Sequence, residues 1–263
     1  MDIRNEKNHV FNIRLAKLLG LYQMLDPGTI KFLGRNVYQM FVGFFVLYLA
    51  VISMALFVDC LRLWTYDTSV SILDLLLAIN SFYACCKMSL IIYRSNDIWD
   101  CLSITWYGFT SSSFRKRTGH DVLDRWRARL NWYTNLIAVA FCFSFVFYIR
   151  CHLVFGETIR SIKNLDGTIG NYRWNVLNLS ILTSDVTYNE YYNTFFVFEA
   201  LFIILVTVFY LIFDILLLTL CLATCCQLKL IGDAFKSVHN KSLIDPYSSA
   251  IAMVRAPVDF FVL

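Results

Sequence analysis

The chain has 263 residues, of which 58% are hydrophobic and 17% aromatic, and its mean hydropathy is +0.58. Values this apolar lie outside the range of an ordinary soluble domain. The net charge of +4 sits in segments between apolar runs, not on a basic surface interleaved with aromatics, which excludes a nucleic-acid partner.

Residues 1–36 form a polar N-terminal segment. The uncharged run after it, Asn36 to Val58, is too long for the apolar part of a cleavable signal. Val10, Ile13, Leu15, Leu18, Leu19 and Tyr22 recur at helical spacing with Arg14 and Lys17 between them, which predicts a short helix lying in the membrane interface. Asp26-Pro27-Gly28 supplies a turn. Four stretches then qualify as bilayer spans, which need about 20 mainly apolar residues. They are 37–63, 70–93, 131–155 and 195–226, and the fold class is an all-α polytopic helix bundle.

Basic residues alternate between the flanks. Six precede the first span, none follows Arg62 in the first loop, and seven lie between Arg94 and Arg129. The 156–194 loop has three against four acidic residues, and four lie beyond Cys226. Because basic loops stay cytosolic, the N-terminus, the 94–130 loop and the 227–263 segment are predicted inside, with 156–194 outside.

Spans one and three carry little charge, and Trp132 and Tyr133 mark an interfacial aromatic belt. Span two holds Asp74 near its outer boundary and Lys87, which is expected to snorkel toward the inner one. At about 1.5 Å per residue, span four exceeds the roughly 30 Å hydrocarbon core, so it is expected to continue as a cytosolic helix. Leu228, Ile231, Ala234, Phe235 and Val238 keep an apolar stripe there that calls for a packing partner. Val122, Trp126, Leu130 and Tyr133 predict that span three begins as a helix below the membrane. The Ser111–Arg117 stretch between reads as a solvated basic loop.

Groups for chemistry are few. His9, His120, His152 and His239 are scattered without metal-ligand neighbours, and no phosphate-binding, dinucleotide-binding or HExxH motif occurs. No Ser/His/Asp set can be assembled, so the reading is not that of an enzyme, and no cofactor or metal is implied. Most of the nine cysteines fall in or near spans and are expected to be free thiols. A Cys60–Cys151 bridge and acylation of Cys225 and Cys226 stay open. Asp214, mid-span, reads as an interhelical or water contact, with an ion relay as the alternative, and Glu199 as a more easily solvated boundary residue. Asn178-Leu179-Ser180 is a glycosylation sequon on the predicted outer side. Asn240-Lys241-Ser242 is a second on the predicted inner side, where it should go unused.

The stretch from Phe213 to Val238, FDILLLTLCLATCCQLKLIGDAFKSV, resembles span four and its cytosolic continuation in insect odorant receptors, through Asp214, Gln227, Leu228 and Leu230. The Tyr-rich approach through Tyr188, Tyr191 and Tyr192 and the N-terminal LAKLLGLYQM segment are similar to that family as well. An inside N-terminus agrees with it and argues against a G-protein-coupled receptor. The resemblance implies a multi-pass plasma-membrane subunit of olfactory sensory neurons. It would bind small volatile apolar odorants and gate a cation channel as a hetero-tetramer with a co-receptor subunit.

The family has seven spans and a pore lined by the seventh, so a chain carrying four is expected to be truncated and without its pore helix. The family's pocket lies in the outer half of the bundle. By helical spacing the candidates there are Ile79, Phe82 and Tyr83 in span two, Ser144, Tyr148 and His152 in span three, and Phe202, Val206 and Phe209 in span four. The alternative for each is helix or lipid packing; Tyr83, Ser144 and Tyr148 stand out because each hydroxyl needs a partner. A gustatory-type receptor and a four-span transporter or scaffold component are the other functional readings.

Overall fold

The computed structural model describes residue 9 and residues 11–65, 67–105, 116–155, 158–163, 168–177 and 183–244, with backbone alone for 103–104, 116–122, 151–155, 163, 234 and 237–244. Two short helices, α1 (Ile13–Leu18) and α2 (Leu21–Leu25), precede a two-stranded ribbon of β1 (Lys31–Phe32) and β2 (Arg35–Asn36). Then come α3 (Val37–Leu63), α4 (Thr68–Tyr93), α5 (Ser95–Cys101) with a 3₁₀ turn over Leu102–Thr105, and α6 (Lys116–Phe155). The antiparallel hairpin β3 (Ile159–Lys163) and β4 (Ile169–Arg173), the short α7 (Asp185–Glu190) and the long α8 (Tyr192–Ile244) complete it. Of these, α3, α4, α6 and α8 contain the four stretches long and apolar enough to cross a membrane. They run alternately up and down, which gives the bundle a hairpin end (β3–β4) and an amphipathic end (α1–α2).

The two later helices run on past the expected spans, and they cover each other where α6 enters and α8 leaves the bundle. Leu123, Trp126 and Leu130 of α6 pack with Leu218, Leu222, Cys226 and Leu230 of α8 in a separate core cluster. The contact stripe on α8 differs from the one expected. Ala223, Cys226 and Leu230 are buried, whereas Leu228, Ile231 and Phe235 stay more than half exposed, and the side chains of Ala234 and Val238 lie outside the described residues.

The first two spans form the tightest pair, and their contact is built from small polar groups. Ser53 donates to the Ala78 carbonyl at 2.8 Å and Ser71 to the Cys60 carbonyl at 2.7 Å. Ser81 and Ala84 are fully buried beside them. Small residues let helix backbones approach closely where lipid removes the usual hydrophobic drive. The outward faces stay apolar, with Phe41, Phe44, Leu47, Val51, Met54 and Leu61 exposed along α3. Cys60 is a free, buried thiol beside Ser71, and the other described cysteines are also free, while the Cys151 side chain lies outside the described residues.

At the amphipathic end the N-terminal segment docks onto the bundle. Its helix breaks at Gly20, which takes a left-handed φ of +76° that glycine adopts without penalty. Ile13, Ala16, Leu21, Met24 and Leu25 are buried, Tyr22 meets Trp99 edge-on, and Asn12 donates to Thr134 at 2.8 Å. Asn36 caps α3 by accepting from the Tyr38 amide at 2.9 Å, while its own amide group donates to the Gln23 carbonyl at 2.9 Å. Gln39 donates to the Met24 carbonyl and to Ser95, so α2, α3 and the α4–α5 junction are tied by two side chains.

Lys87 does not snorkel to the inner boundary as expected. Its ammonium points into the bundle, 3.5 Å from Asp214 of α8, and sits over the rings of Tyr83, Tyr210 and Phe213 at 4.9, 4.3 and 4.5 Å. An ammonium among three ring faces and one carboxylate recovers much of what it loses on leaving water. Lys87→Met should therefore destabilise the protein by about 1–2 kcal/mol, since Asp214 is left without its cation. Lys87→Met with Asp214→Asn should recover part of that loss. Thermal unfolding in detergent measures both, and an equal loss in the double variant would assign the effect to the ring contacts alone.

Candidate functional site

The hairpin end is where this chain places its own backbone inside the bundle. After β4, residues Trp174 to Leu177 turn inward, and Asn175, Val176 and Leu177 are all at most 2% exposed. A buried irregular backbone needs a partner for every polar group, and side chains from α6 and α8 provide several. The Leu177 amide donates to Glu199 Oε2 at 2.6 Å. The Val176 carbonyl accepts from the Tyr148 hydroxyl at 3.2 Å, and the Trp174 carbonyl from Tyr192 at 3.0 Å. Asn175 accepts from the Val176 amide at 2.8 Å.

Glu199 anchors the site with both oxygens, since Oε1 accepts from the Tyr188 hydroxyl at 2.9 Å. Burial, and then the negative charge of Glu199, push the Tyr188 phenol well above its ordinary range, so Tyr188 remains a protonated donor at any physiological pH. Glu199 is 2% exposed, which corrects its reading as a solvated boundary residue. A charge this deep is stable because a backbone amide and a phenol both donate to it.

The hairpin itself is pinned from two sides. Ile162 and Tyr172 pack with Leu63, Val70 and Tyr188. Arg160 pairs with Asp67 in the α3–α4 connection and stacks over Trp174. Although partial burial raises the Asp67 pKa, bonds from Ser69, Arg160 and the Val70 amide outweigh it and hold the carboxyl below its usual range. The outer edge of β4 is covered by α7: Asp185 accepts from the Asn171 amide, and Asn189 bonds both the Arg173 amide and the Asn171 carbonyl. That arrangement removes a free strand edge. Just below, Asp59 and Asp74 are buried near the ends of α3 and α4, with Arg62 3.6 Å from Asp59.

Val176 and Leu177 join the main core cluster together with Leu56, Phe202, Leu205 and Phe209. The segment thus contributes two of the chain's own side chains to the apolar core between the spans. Of the residues singled out from sequence, the structure gathers four in that cluster. Phe202 and Phe209 are buried in it, and Val206 and Tyr148 pack against it from α8 and α6. The other candidates lie elsewhere. Ile79, Phe82 and Tyr83 are each more than half exposed on α4, and Ser144 is exposed on α6. His152 belongs to α6, but its side chain is outside the described residues, as is Asn178. Sequence reasoning named Glu199 and Tyr188 without bringing them to this place and did not single out Val176 and Leu177; the apolar pair inside a polar loop was the available signal.

The segment shares its core with large apolar side chains, and the half-buried Tyr148 brings it a hydroxyl. Among the described residues no three His, Cys, Asp or Glu side chains gather as a metal requires. Comparisons with known protein families, with curated proteins and with solved structures find no match.

Glu199→Gln should loosen the segment, because a hydrogen bond to a charged acceptor is worth about 1.5–3 kcal/mol. Amide exchange at Val176 and Leu177 should then accelerate roughly ten-fold or more while α3 stays protected. Unchanged exchange would show that packing and Tyr148 hold the segment without the carboxylate.

Proposed function

We propose that this chain is the odorant-binding part of an insect-type odorant receptor subunit, with its amphipathic end in the cytosol and its hairpin end outside the cell. In this reading it binds small volatile apolar molecules and works with a co-receptor subunit in a tetrameric cation channel. Its setting is the plasma membrane of olfactory sensory neurons. The observation that supports the reading best is the segment buried at the hairpin end, the proposed odorant seat. There, Val176 and Leu177 share one apolar core with Phe202, Val206, Phe209 and Tyr148, and the Tyr148 hydroxyl donates to the Val176 carbonyl.

An apolar ligand of similar volume exchanges with those two side chains at little cost in buried area, because apolar contact is non-directional. A ligand carbonyl or hydroxyl then takes over the Tyr148 bond that Val176 gives up, which supplies orientation. The exchange is read out by α8. That helix carries Phe202 and Phe209 in the core that the segment joins and Cys226 and Leu230 in the contact with α6, so a shift at one end reaches the other. A gustatory-type receptor and a four-span transporter or scaffold component are the alternatives.

The binding test uses the chain in lipid nanodiscs, with N-phenyl-1-naphthylamine displaced by six- to ten-carbon esters, alcohols and alkanes. Displacement should saturate, and Phe202→Ala should weaken it about ten-fold or more through loss of buried ring contact. Tyr148→Phe, which keeps the ring, should weaken esters and alcohols several-fold and leave alkanes unchanged. Titrations identical in both variants and in empty nanodiscs would sink the reading.

Orientation has a separate check. When the chain is expressed in insect cells, Asn178→Gln should abolish a single glycan shift on gels and Asn240→Gln should leave it intact. The opposite pattern would put the hairpin end in the cytosol.

A further inference from the structure

At the amphipathic end the bundle does not close. A groove of about 510 Å³ opens where α3 begins and α4 ends, roofed by the β1–β2 ribbon. Its α3 wall is a single face, Asn36, Gln39, Gly43 and Val46, spaced as one side of a helix. Ten residues at about 1.5 Å each take that face roughly 15 Å along the span, about half of a 30 Å hydrocarbon core and so the depth of one leaflet. Halfway along, Gly43 leaves a notch: a Cβ built there would meet no atom within 4 Å. Opposite, Ser89 and Ile92 of α4 line the same slot.

The mouth of the groove is basic and its roof is greasy. Lys31 and Arg35 both line it, both are exposed, and neither forms an ion pair with any acidic side chain among the described residues. Asp26, the acidic residue of the lining, turns one oxygen to the Gly28 amide at 2.8 Å. The ribbon turns through Leu33 and Gly34, whose φ values are +50° and +77°. Both central residues are left-handed, as in the tight hairpin turns that Asn and Gly make at least cost. Here a leucine takes the strained place, and its side chain projects 85% exposed beside Ile30 and Phe32, which are 77% and 60% exposed. In water these three side chains would be a liability. At the level of the lipid headgroups they are an anchor.

We propose that this groove binds one anionic diacyl phospholipid, its phosphate held by Lys31 and Arg35 and one acyl chain laid along α3 and α4 past Gly43. The charge, the depth of one leaflet and the unfilled notch agree on that occupant. A soluble phosphate would use the basic mouth and have no use for the slot, and a neutral lipid would use the slot and ignore the mouth. Basic pockets between spans on the cytosolic side are where anionic lipid is most abundant. The assignment to the cytosolic leaflet rests on the orientation proposed above, whereas the binding itself does not.

Native mass spectrometry of the full chain in detergent tests this with equal amounts of phosphatidylglycerol and phosphatidylcholine of matched acyl chains. One phosphatidylglycerol should be retained in preference. Lys31→Ala with Arg35→Ala, both at exposed positions, should reduce that preference about ten-fold. Gly43→Leu should reduce retention of the lipid by a similar factor, because the notch is filled, and the thermal unfolding midpoint should not fall. A preference that survives both variants would overturn the site, leaving only a lipid annulus. Glycerophosphoglycerol competing as strongly as the intact lipid would overturn it too, leaving an anion site without a slot. None of these readouts involves the odorant seat, and the glycan pattern at Asn178 decides orientation separately, so each proposal can fail without the other.

Discussion

An apolar surrounding offers no hydrogen bonds, so every polar group inside this bundle must be met by another part of the chain. That demand makes the four long segments helical, since a helix satisfies its own backbone. It also explains where the remaining polar side chains point. Ser53 and Ser71 return their hydroxyls to backbone carbonyls across the α3–α4 contact. Lys87 gathers three rings and a carboxylate. Glu199 takes a backbone amide and a phenol. An unmet group of this kind costs several kcal/mol, more than most single contacts return.

The two ends of the bundle answer the same demand differently. At the hairpin end, the chain turns its own irregular segment inward, and the cost of burying Asn175, Val176 and Leu177 is offset by donors and acceptors on α6, α7 and α8. At the amphipathic end, the polar ties of Asn36 and Gln39 leave an open groove beside them. One end is thus closed by the chain's own contacts and the other is left unfilled. On the proposed reading, the first is where a small ligand competes with the chain itself, and the second is where lipid completes the fold.

Much of this was legible along the sequence, and the parts that were not share a cause. Long apolar runs announce helices because length and hydropathy are local properties. The extension of α6 and α8 was visible for the same reason, as periodicity continuing past the span. The β3–β4 hairpin is not announced by the sequence, because Ile159 and Ile162, like Ile169 and Tyr172, stand three residues apart and give no period-two signal. The packed stripe of α8 differs from the expected one because helical periodicity there allows two faces, and only the position of Leu123 and Leu130 on α6 selects Cys226 and Leu230. Glu199 was misjudged because nothing near it in the sequence reveals Leu177 or Tyr188 as donors.

By itself, then, the sequence determined which segments are helical, which of them are apolar enough to cross a bilayer, and which loops carry basic charge. These depend on residues close together in the chain. Only the tertiary structure decided which carboxylates are buried and what they hold. It also decided that Lys87 turns inward to Asp214 and that Val176 and Leu177 join the apolar core while the groove past Gly43 stays open. Each of those outcomes pairs groups that are remote in the chain, and the free energy of a buried polar group depends on the partner that happens to face it.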